Sequence, residues 1–206
     1  MALGDAYASV AELETRLGTS DDGTYEALLD AASRAVESFT RRQFNKTETA
    51  SARRFRAVDP RRLPVDDFHT TTDLAVEVDD TAWTVADDVD PRPWNGIVDG
   101  QEGWPFFDLF AVRRYWPFSR RAPVTVTAQW GWAAVPEGIR QTTLNVAASV
   151  VSSASTSATS GQVKSMAIDG YSVSFVAADG TPRTTVVDLT TFSLADPYRR
   201  KRFGVA

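Results

Sequence analysis

Apolar residues near the N-terminus recur with the spacing of an α-helix. From Tyr25 to Phe39 they fall at i, i+3, i+4, i+7, i+11 and i+14, which predicts one amphipathic helix over about residues 22–42. A shorter helix is expected before it, because Ser9 and Glu12 have the spacing of a capping box. Two helices therefore open the chain.

After about Thr47 the hydrophobic period changes from helical to alternating. Strands are predicted at Ala52–Ala57, Leu74–Val78, Trp83–Ala86 and Val124–Trp130. Turns are predicted between them at Asp59–Pro60, Asp79–Asp80, Asp90–Pro93 and Asp99–Gly103. All six tryptophans lie from Trp83 to Trp132, which favours a compact β-core built from large side chains. An aromatic platform for sugars or unstacked bases is the alternative.

Helical spacing returns directly after the last of these strands. Pro136 suits the first helical position and Glu137 the first turn, and the apolar face continues to about Ser153. The small polar residues of 152–161 fit either a frayed helix end or a loop. A third helix is therefore expected.

The remaining residues predict a hairpin, a short helix and a tail. Met166–Ile168 and Tyr171–Phe175 flank Asp169–Gly170, a sequence that two-residue type I′ hairpin turns prefer. A second Asp–Gly pair occupies 179–180, and Val186–Leu194 is expected to form a short helix. The chain closes with DPYRRKRFGVA, a basic and aromatic segment that is not expected to bury itself.

These elements predict an α+β fold. The N-terminal helices (1–46) and the third helix (133–160) are expected to form a small helical bundle, interrupted by an inserted Trp-rich β-domain (47–132). The C-terminal hairpin, short helix and extended tail occupy 161–206.

Composition limits the kinds of metal, redox and catalytic sites that the chain can form. There is no cysteine, which excludes disulfides and thiolate sites, and the single histidine, His69, is expected in a loop or at the surface. Acid pairs at Asp66–Asp67, Asp79–Asp80 and Asp87–Asp88 are expected in solvated turns, although a glycosidase-type pair stays open. No nucleotide-binding, hydrolase or metalloprotease motif occurs. We expect no enzyme, no cofactor, no membrane contact and a cytoplasmic site of synthesis.

Arginine outnumbers lysine 19 to 3, and twelve of the arginines stand in adjacent pairs. Such pairs clamp carboxylates in protein interfaces, although GC-rich coding produces the same bias. The formal net charge is −5.

Four stretches carry a resemblance to a known family: Ala27–Phe44, Arg62–Phe68, Val124–Leu144 and Leu194–Arg200. In this order they resemble the head–tail connector (adaptor, head-completion) proteins of long-tailed double-stranded DNA bacteriophages, in the form with a β-insertion common among phages of actinobacteria. The third stretch, with its Gly-Trp, Val-Pro and Ile-Arg pairs, is similar to the family's passage from sheet to helix.

The resemblance implies a homo-oligomeric ring, typically of twelve subunits, beneath the portal protein. The ring would join the capsid to a stopper or tail-completion protein while double-stranded DNA passes transiently through its channel. It implies a place at the head–tail interface of the virion, reached from the host cytoplasm during assembly, and neither catalysis nor a cofactor.

Two segments are candidate contact sites. The first is a portal-docking tail of Tyr198, Arg199, Arg200, Lys201, Arg202 and Phe203. A solvated terminus or DNA contact is the alternative for it. The second is the hairpin of Asp169, Gly170 and Tyr171, which would contact a neighbouring subunit or line the channel, or be an ordinary surface hairpin. Other functions left open are a different head-completion or tail-terminator protein, a carbohydrate- or single-strand-binding module, and an enzyme using the acid pairs.

Overall fold

A computed structural model describes residues 5–21, 23–57, 59–117, 124–160, 172–176, 182–186 and 189–200. The chain forms two units. Unit 1 comprises Met1–Arg42 with Val135–Ala206, and unit 2 comprises Gln43–Ala134. No helix among the described residues has both the length and the apolar character needed to span a membrane.

Helix α1 (Val10–Leu17) confirms the predicted capping box. The Ser9 hydroxyl accepts a hydrogen bond from the Glu12 N–H at 3.3 Å, and the Ser9 N–H donates to the Glu12 carboxylate at 2.8 Å. The helix ends at Gly18, whose φ of 67° lies in the left-handed region that glycine adopts without strain.

Helix α2 (Tyr25–Thr40) confirms the long amphipathic helix and is shorter at both ends than predicted. It begins where the Asp21 carboxylate accepts hydrogen bonds from three successive backbone N–H groups, those of residues 23–25, at 2.9–3.0 Å. It ends because Arg41 is left-handed, with φ of 56°, and donates its N–H to the Glu37 carbonyl. Arginine in that conformation is uncommon, so the sequence did not mark this end.

Helix α3 (Glu137–Ser160) starts one residue later and ends later than predicted. The Pro136 carbonyl accepts the first helical hydrogen bond, from the Arg140 N–H at 3.0 Å, so proline is the N-cap rather than the first helical residue. The small polar residues after Ser153 continue the helix. Helix α3 contacts both α1 and α2.

The C-terminal part of unit 1 differs from the prediction. Strand β7 (Ser172–Val176) pairs antiparallel with β8 (Pro182–Val186), and the second Asp–Gly pair stands between these two strands in the sequence. The expected short helix is instead a 3₁₀ helix, Leu189–Tyr198, that begins after β8. The β-branched residues 184–186 favour the extended strand over the helix predicted from Val186. The expected turn at Asp169–Gly170 and the strand at 166–168 lie outside the described residues.

Unit 2 is an antiparallel sheet. Its strands are β1 (Ser51–Phe55), β2 (Arg62–Val78), β3 (Thr81–Trp83), β4 (Val89–Arg92), β5 (Phe106–Ala111) and β6 (Val124–Trp130). Their order is β1-β6-β2-β5-β4, and β3 pairs with the end of β2. Strands were predicted at or near β1, the end of β2, β3 and β6, whereas β4, β5 and the first half of β2 were not.

Two turn predictions in unit 2 are wrong, whereas Asp79–Asp80, Asp87–Asp88 and the start of Asp99–Gly103 are confirmed as turns. Asp66–Asp67 lies inside β2, and most of Asp90–Pro93 lies in β4. In both strands proline and aspartate hide the pattern, because these residues are depleted in strands. Asp79–Asp80 does form the turn between β2 and β3, with φ of 48° and 59°, as a type I′ hairpin requires.

The core of unit 2 is aromatic and aliphatic. Trp83 and Trp116 stack with ring centres 4.8 Å apart and an angle of 12° between the rings. Around them lie Leu63, Val65, Phe68, Val76, Val78, Val89, Leu109, Ala111, Val124, Val126, Ala128 and Trp130. Each large side chain buried in this way contributes about 1.5–3 kcal/mol, so this cluster is the main source of stability for the sheet.

Candidate interaction surfaces

The segment Tyr198–Arg200 is held against the end of α2. Arg42 donates from Nε to the Tyr198 carbonyl at 2.8 Å, and the Arg200 N–H donates to the Thr40 carbonyl at 2.8 Å. Thr40 is the last residue of α2, so the second bond satisfies a carbonyl that the helix leaves open. The start of the basic C-terminal segment therefore caps a helix of its own unit.

The preceding 3₁₀ helix explains how the chain reaches that position. Phe192 is fully buried and stacks on Phe39 of α2, with ring centres 4.8 Å apart. The Arg199 guanidinium lies 5.1 Å from the centre of the same Phe39 ring, a cation–π contact. Gly138 of α3 permits the close approach, because a Cβ there would lie 2.9 Å from the Leu194 carbonyl oxygen.

The structure thus describes half of the predicted tail. Tyr198 and Arg200 are half-buried, whereas the sequence predicted a segment that cannot bury itself, and burial raises the pKa of Tyr198. The remaining predicted site residues, Lys201, Arg202, Phe203, Asp169, Gly170 and Tyr171, lie outside the described residues. Gly138 and Arg42, which position the segment, were missed, since neither spacing nor composition relates them to it.

A charged cluster joins α1 to α3. Arg140 forms ion pairs with both Glu12 and Glu137. The backbone N–H of Ser9 contributes most to holding the pKa of Glu12 below its ordinary value, and Arg140 adds to it. The Gln141 side chain and then Arg140 lower the pKa of Glu137. These charges satisfy one another within unit 1.

Most of the described arginines of unit 2 also have partners within the unit. The ion pairs are Arg53–Asp66, Arg62–Asp108, Arg92–Asp90, Arg113–Asp87 and Arg114–Asp88. The paired arginines that suggested an interface are therefore largely engaged inside the chain. Arg54 and Arg56 differ, since both are exposed and form no ion pair with any described residue.

Three aspartates are buried, and two of them, Asp67 and Asp88, belong to acid pairs that were expected in solvated turns. Asp67 accepts a hydrogen bond from Trp132 Nε1 at 2.9 Å, and Asp108 accepts from Arg62 Nε at 2.9 Å. Asp88 accepts from the backbone and from an arginine. His69 is half-buried in β2 rather than in a loop. Within the described ranges no group of three or more acidic, histidine or cysteine side chains is placed to hold a metal.

The tryptophans do not form an open platform. All six are described, and five are buried, with only Trp94 exposed, at 60%. The Arg92 guanidinium lies 4.2 Å from the centre of the Trp94 ring and 4.4 Å from that of Phe110, and Trp94 Nε1 donates to Asp90. Successive bases or sugars need several open rings, which this surface lacks.

The edge strands of the unit 2 sheet differ in proline content and in charge. Strand β4 carries Pro91, which has no N–H to offer an added strand. Strand β1 has no proline and is largely exposed on its outward-facing residues. At the β2–β3 hairpin, Glu77, Asp79 and Asp80 are exposed and form no ion pair within the part of the chain that is described.

No family model matches the sequence, and no curated protein matches it. Solved structures do match the fold. A chain in the neck of an empty gene transfer agent particle, computed with C6 symmetry, has a TM-score of 0.55 at 16% identity and covers 100% of this chain and 96% of its own. A chain in the neck of the native particle, computed with C12 symmetry, has a TM-score of 0.52 at 17% identity, covering 96% of this chain and 91% of its own. The chain is thus similar in fold, over nearly its whole length, to components of a particle neck.

Proposed function

We propose that this chain is a structural protein of the neck of a phage-type virion, acting as the head–tail adaptor and not as an enzyme. The observation that carries the proposal is the fold likeness to neck chains along 96–100% of the sequence. The ordered sequence resemblance to head–tail connectors supports the same role. Unit 1 would be the helical bundle that forms the ring wall, and unit 2 the Trp-rich insertion.

The adaptor would act as a closed ring of twelve copies. The C12 and C6 symmetries of the similar necks support this number, because sixfold symmetry is contained in twelvefold symmetry. The ring would lie beneath the portal protein, above a stopper or tail-completion protein. A net-acidic chain suits a channel through which DNA slides, since cationic contacts to phosphates would retain the DNA.

The C-terminal segment would fasten the ring to the portal in two parts. Tyr198–Arg200 serves as the anchor on α2, and Lys201, Arg202 and Phe203 would contact the portal. Arginine and aromatic side chains are the residues that dominate protein interfaces energetically. The hairpin at Asp169, Gly170 and Tyr171 would contact the neighbouring subunit.

The test of the ring is cryo-electron microscopy of the full chain mixed with its cognate portal ring. A symmetric ring stacked on the portal is expected. Portals that stay bare at saturating protein would refute the adaptor role. A ring that binds the tail tube instead would identify a tail-terminator.

The test of the tail needs a truncation that preserves the anchor. Ending the chain after Arg200 removes the proposed portal contacts and keeps the cap on α2, whereas a deletion from Tyr198 would disturb both. Portal binding should be lost after this truncation and retained when only residues 204–206 are removed. Equal portal binding by both truncated chains would exclude the docking role.

A further inference from the structure

No described strand pairs with the outer edge of β1. The residues of β1 align in register with the acidic β2–β3 hairpin, which forms the opposite edge of the same four strands. In the register of the sheet, Arg54 stands opposite Thr125, Thr125 opposite Glu77, and Glu77 opposite Ala82. These four residues therefore form one row across β1, β6, β2 and β3. Their side chains share the outer face, because the alternate residues of β6 are buried on the other.

This row has a basic end and an acidic end. Arg54 and Arg56 occupy the β1 side, and Glu77, Asp79 and Asp80 occupy the hairpin side, all exposed and without an ion pair among the described residues. These unpaired charges are unusual in the unit, because most of its described arginines form ion pairs with aspartates of the unit. A basic edge and an acidic edge on one sheet are complementary between copies placed head to tail.

We propose that β1 of one copy pairs antiparallel with β3 of the next copy, so that the sheets of unit 2 join into a continuous belt. This inference rests on the proposed ring. Going from β1 to β3, each strand is antiparallel to the one before it, and there are four strands. After an even number of strands, the β1 of a following copy again runs antiparallel to β3. A cyclic head-to-tail arrangement nearly preserves strand direction between neighbours, as this pairing requires.

The register also brings the charges together. If the rows of two neighbouring copies are continuous, Arg54 of one copy lies opposite Ala82 of the next, and both side chains are on the same face of the sheet. The small alanine side chain leaves room for the guanidinium to reach Glu77 one strand further in. Arg56, two residues along, reaches the level of Asp79 and Asp80 at the turn.

The β4 edge does not offer an equivalent site. Pro91 removes one N–H, and the Asp90 and Arg92 charges are already paired with each other. Proline and charge on an edge strand are the usual protection against added strands. The β1 edge lacks the proline, and its cations have no acidic partner among the described residues of their own copy, so the hairpin of a second copy would supply one.

The absence of cysteine from the chain allows a direct test by cross-linking. Two full-length variants, Arg54→Cys and Ala82→Cys, are mixed with the portal ring and treated with a short bismaleimide. A mixture of the two should give a cross-linked dimer, and the double variant a ladder that rises to the closed ring. Within one copy the two positions are three strands apart, about 14 Å, so a short linker reports contacts between copies.

A matched control pairs Arg54→Cys with Asp99→Cys, an exposed loop position, and should give no ladder. Electron microscopy of the same samples tests ring formation and strand pairing separately. Rings that form on the portal without a cross-link in the Arg54–Ala82 mixture would overturn the β1–β3 pairing and leave the adaptor role standing. Portals without rings would overturn both.

Discussion

Replacing Gly131 by alanine is expected to destabilise unit 2 severely. Gly131 has φ of 95°, and its N–H donates to the Asp67 carbonyl at 2.6 Å. A Cβ at this position would lie 1.9 Å from the Asn45 carbonyl oxygen and 2.9 Å from the Lys46 Cα. Both contacts are with backbone, which cannot rotate away as a side chain can.

The magnitude follows from two terms. A positive φ costs an L-residue about 1–2 kcal/mol. Forcing a methyl group into a filled backbone contact adds about 1–3 kcal/mol or more. The neighbouring segment is fixed, because the Thr47 N–H donates to the Trp130 carbonyl at 2.8 Å, so the two backbone segments must move apart to admit the group. We expect a total loss of about 2–5 kcal/mol.

Gly100→Ala is the matched control, since Gly100 has φ of 78° but no atom within 4 Å of an added Cβ. It should lose only the conformational term of about 1–2 kcal/mol. Urea unfolding followed by tryptophan fluorescence measures both variants and reports on unit 2 alone, because all six tryptophans lie within it. If the two variants lose equal stability, within about 0.5 kcal/mol, the close approach does not constrain Gly131 and the reasoning fails.

Three further predictions concern unit 1. Gly138→Ala should loosen the 3₁₀ helix by about 1–3 kcal/mol, because the added Cβ meets the Leu194 carbonyl, and hydrogen exchange of 189–200 should accelerate; unchanged exchange would contradict it. The folded-state pKa of Glu12 is lowered, so its contribution to stability is present above pH 4.5 and lost as pH falls through the folded pKa. Glu12→Gln should therefore flatten the acid limb of a stability–pH curve, and an unaltered limb would count against this. The pKa of Tyr198 is raised, so its contribution is present below about pH 10 and declines as pH rises towards the folded value; Tyr198→Phe should remove this decline in thermal unfolding between pH 9 and 11.

The helices of unit 1 could be read from sequence because their signals are local. The Ser9–Glu12 capping box and the apolar stripe of α2 each lie within a few turns. The end of α2 could not be predicted, because Arg41 takes a left-handed conformation that its residue type disfavours. The bond from Arg200 to Thr40 joins residues 160 positions apart, and no local pattern announces it.

Strands β4 and β5 were missed for a different physical reason. Sequence alternation reveals a strand only when one face is polar and free. In β5, Asp108 is buried by its bond to Arg62 of β2, so an acidic residue stands where the pattern requires an apolar one. Ion pairs of this kind with aspartates of the same unit also engage most of the described unit 2 arginines that the sequence offered as interface residues.

The two ends of unit 2 lie side by side. The Thr47 N–H donates to the Trp130 carbonyl, the Trp130 N–H donates to the Thr47 hydroxyl, and the backbone at Asn45 touches Gly131. When the first and last residues of a domain lie this close together, the domain can be replaced without moving the chain on either side of it. Residues 47–130 could thus be replaced by a few glycines or by a foreign sheet while the rest of the chain keeps its connectivity. Lineages of this protein could gain, lose or exchange the whole module in one recombination event without redesigning the parts encoded on either side.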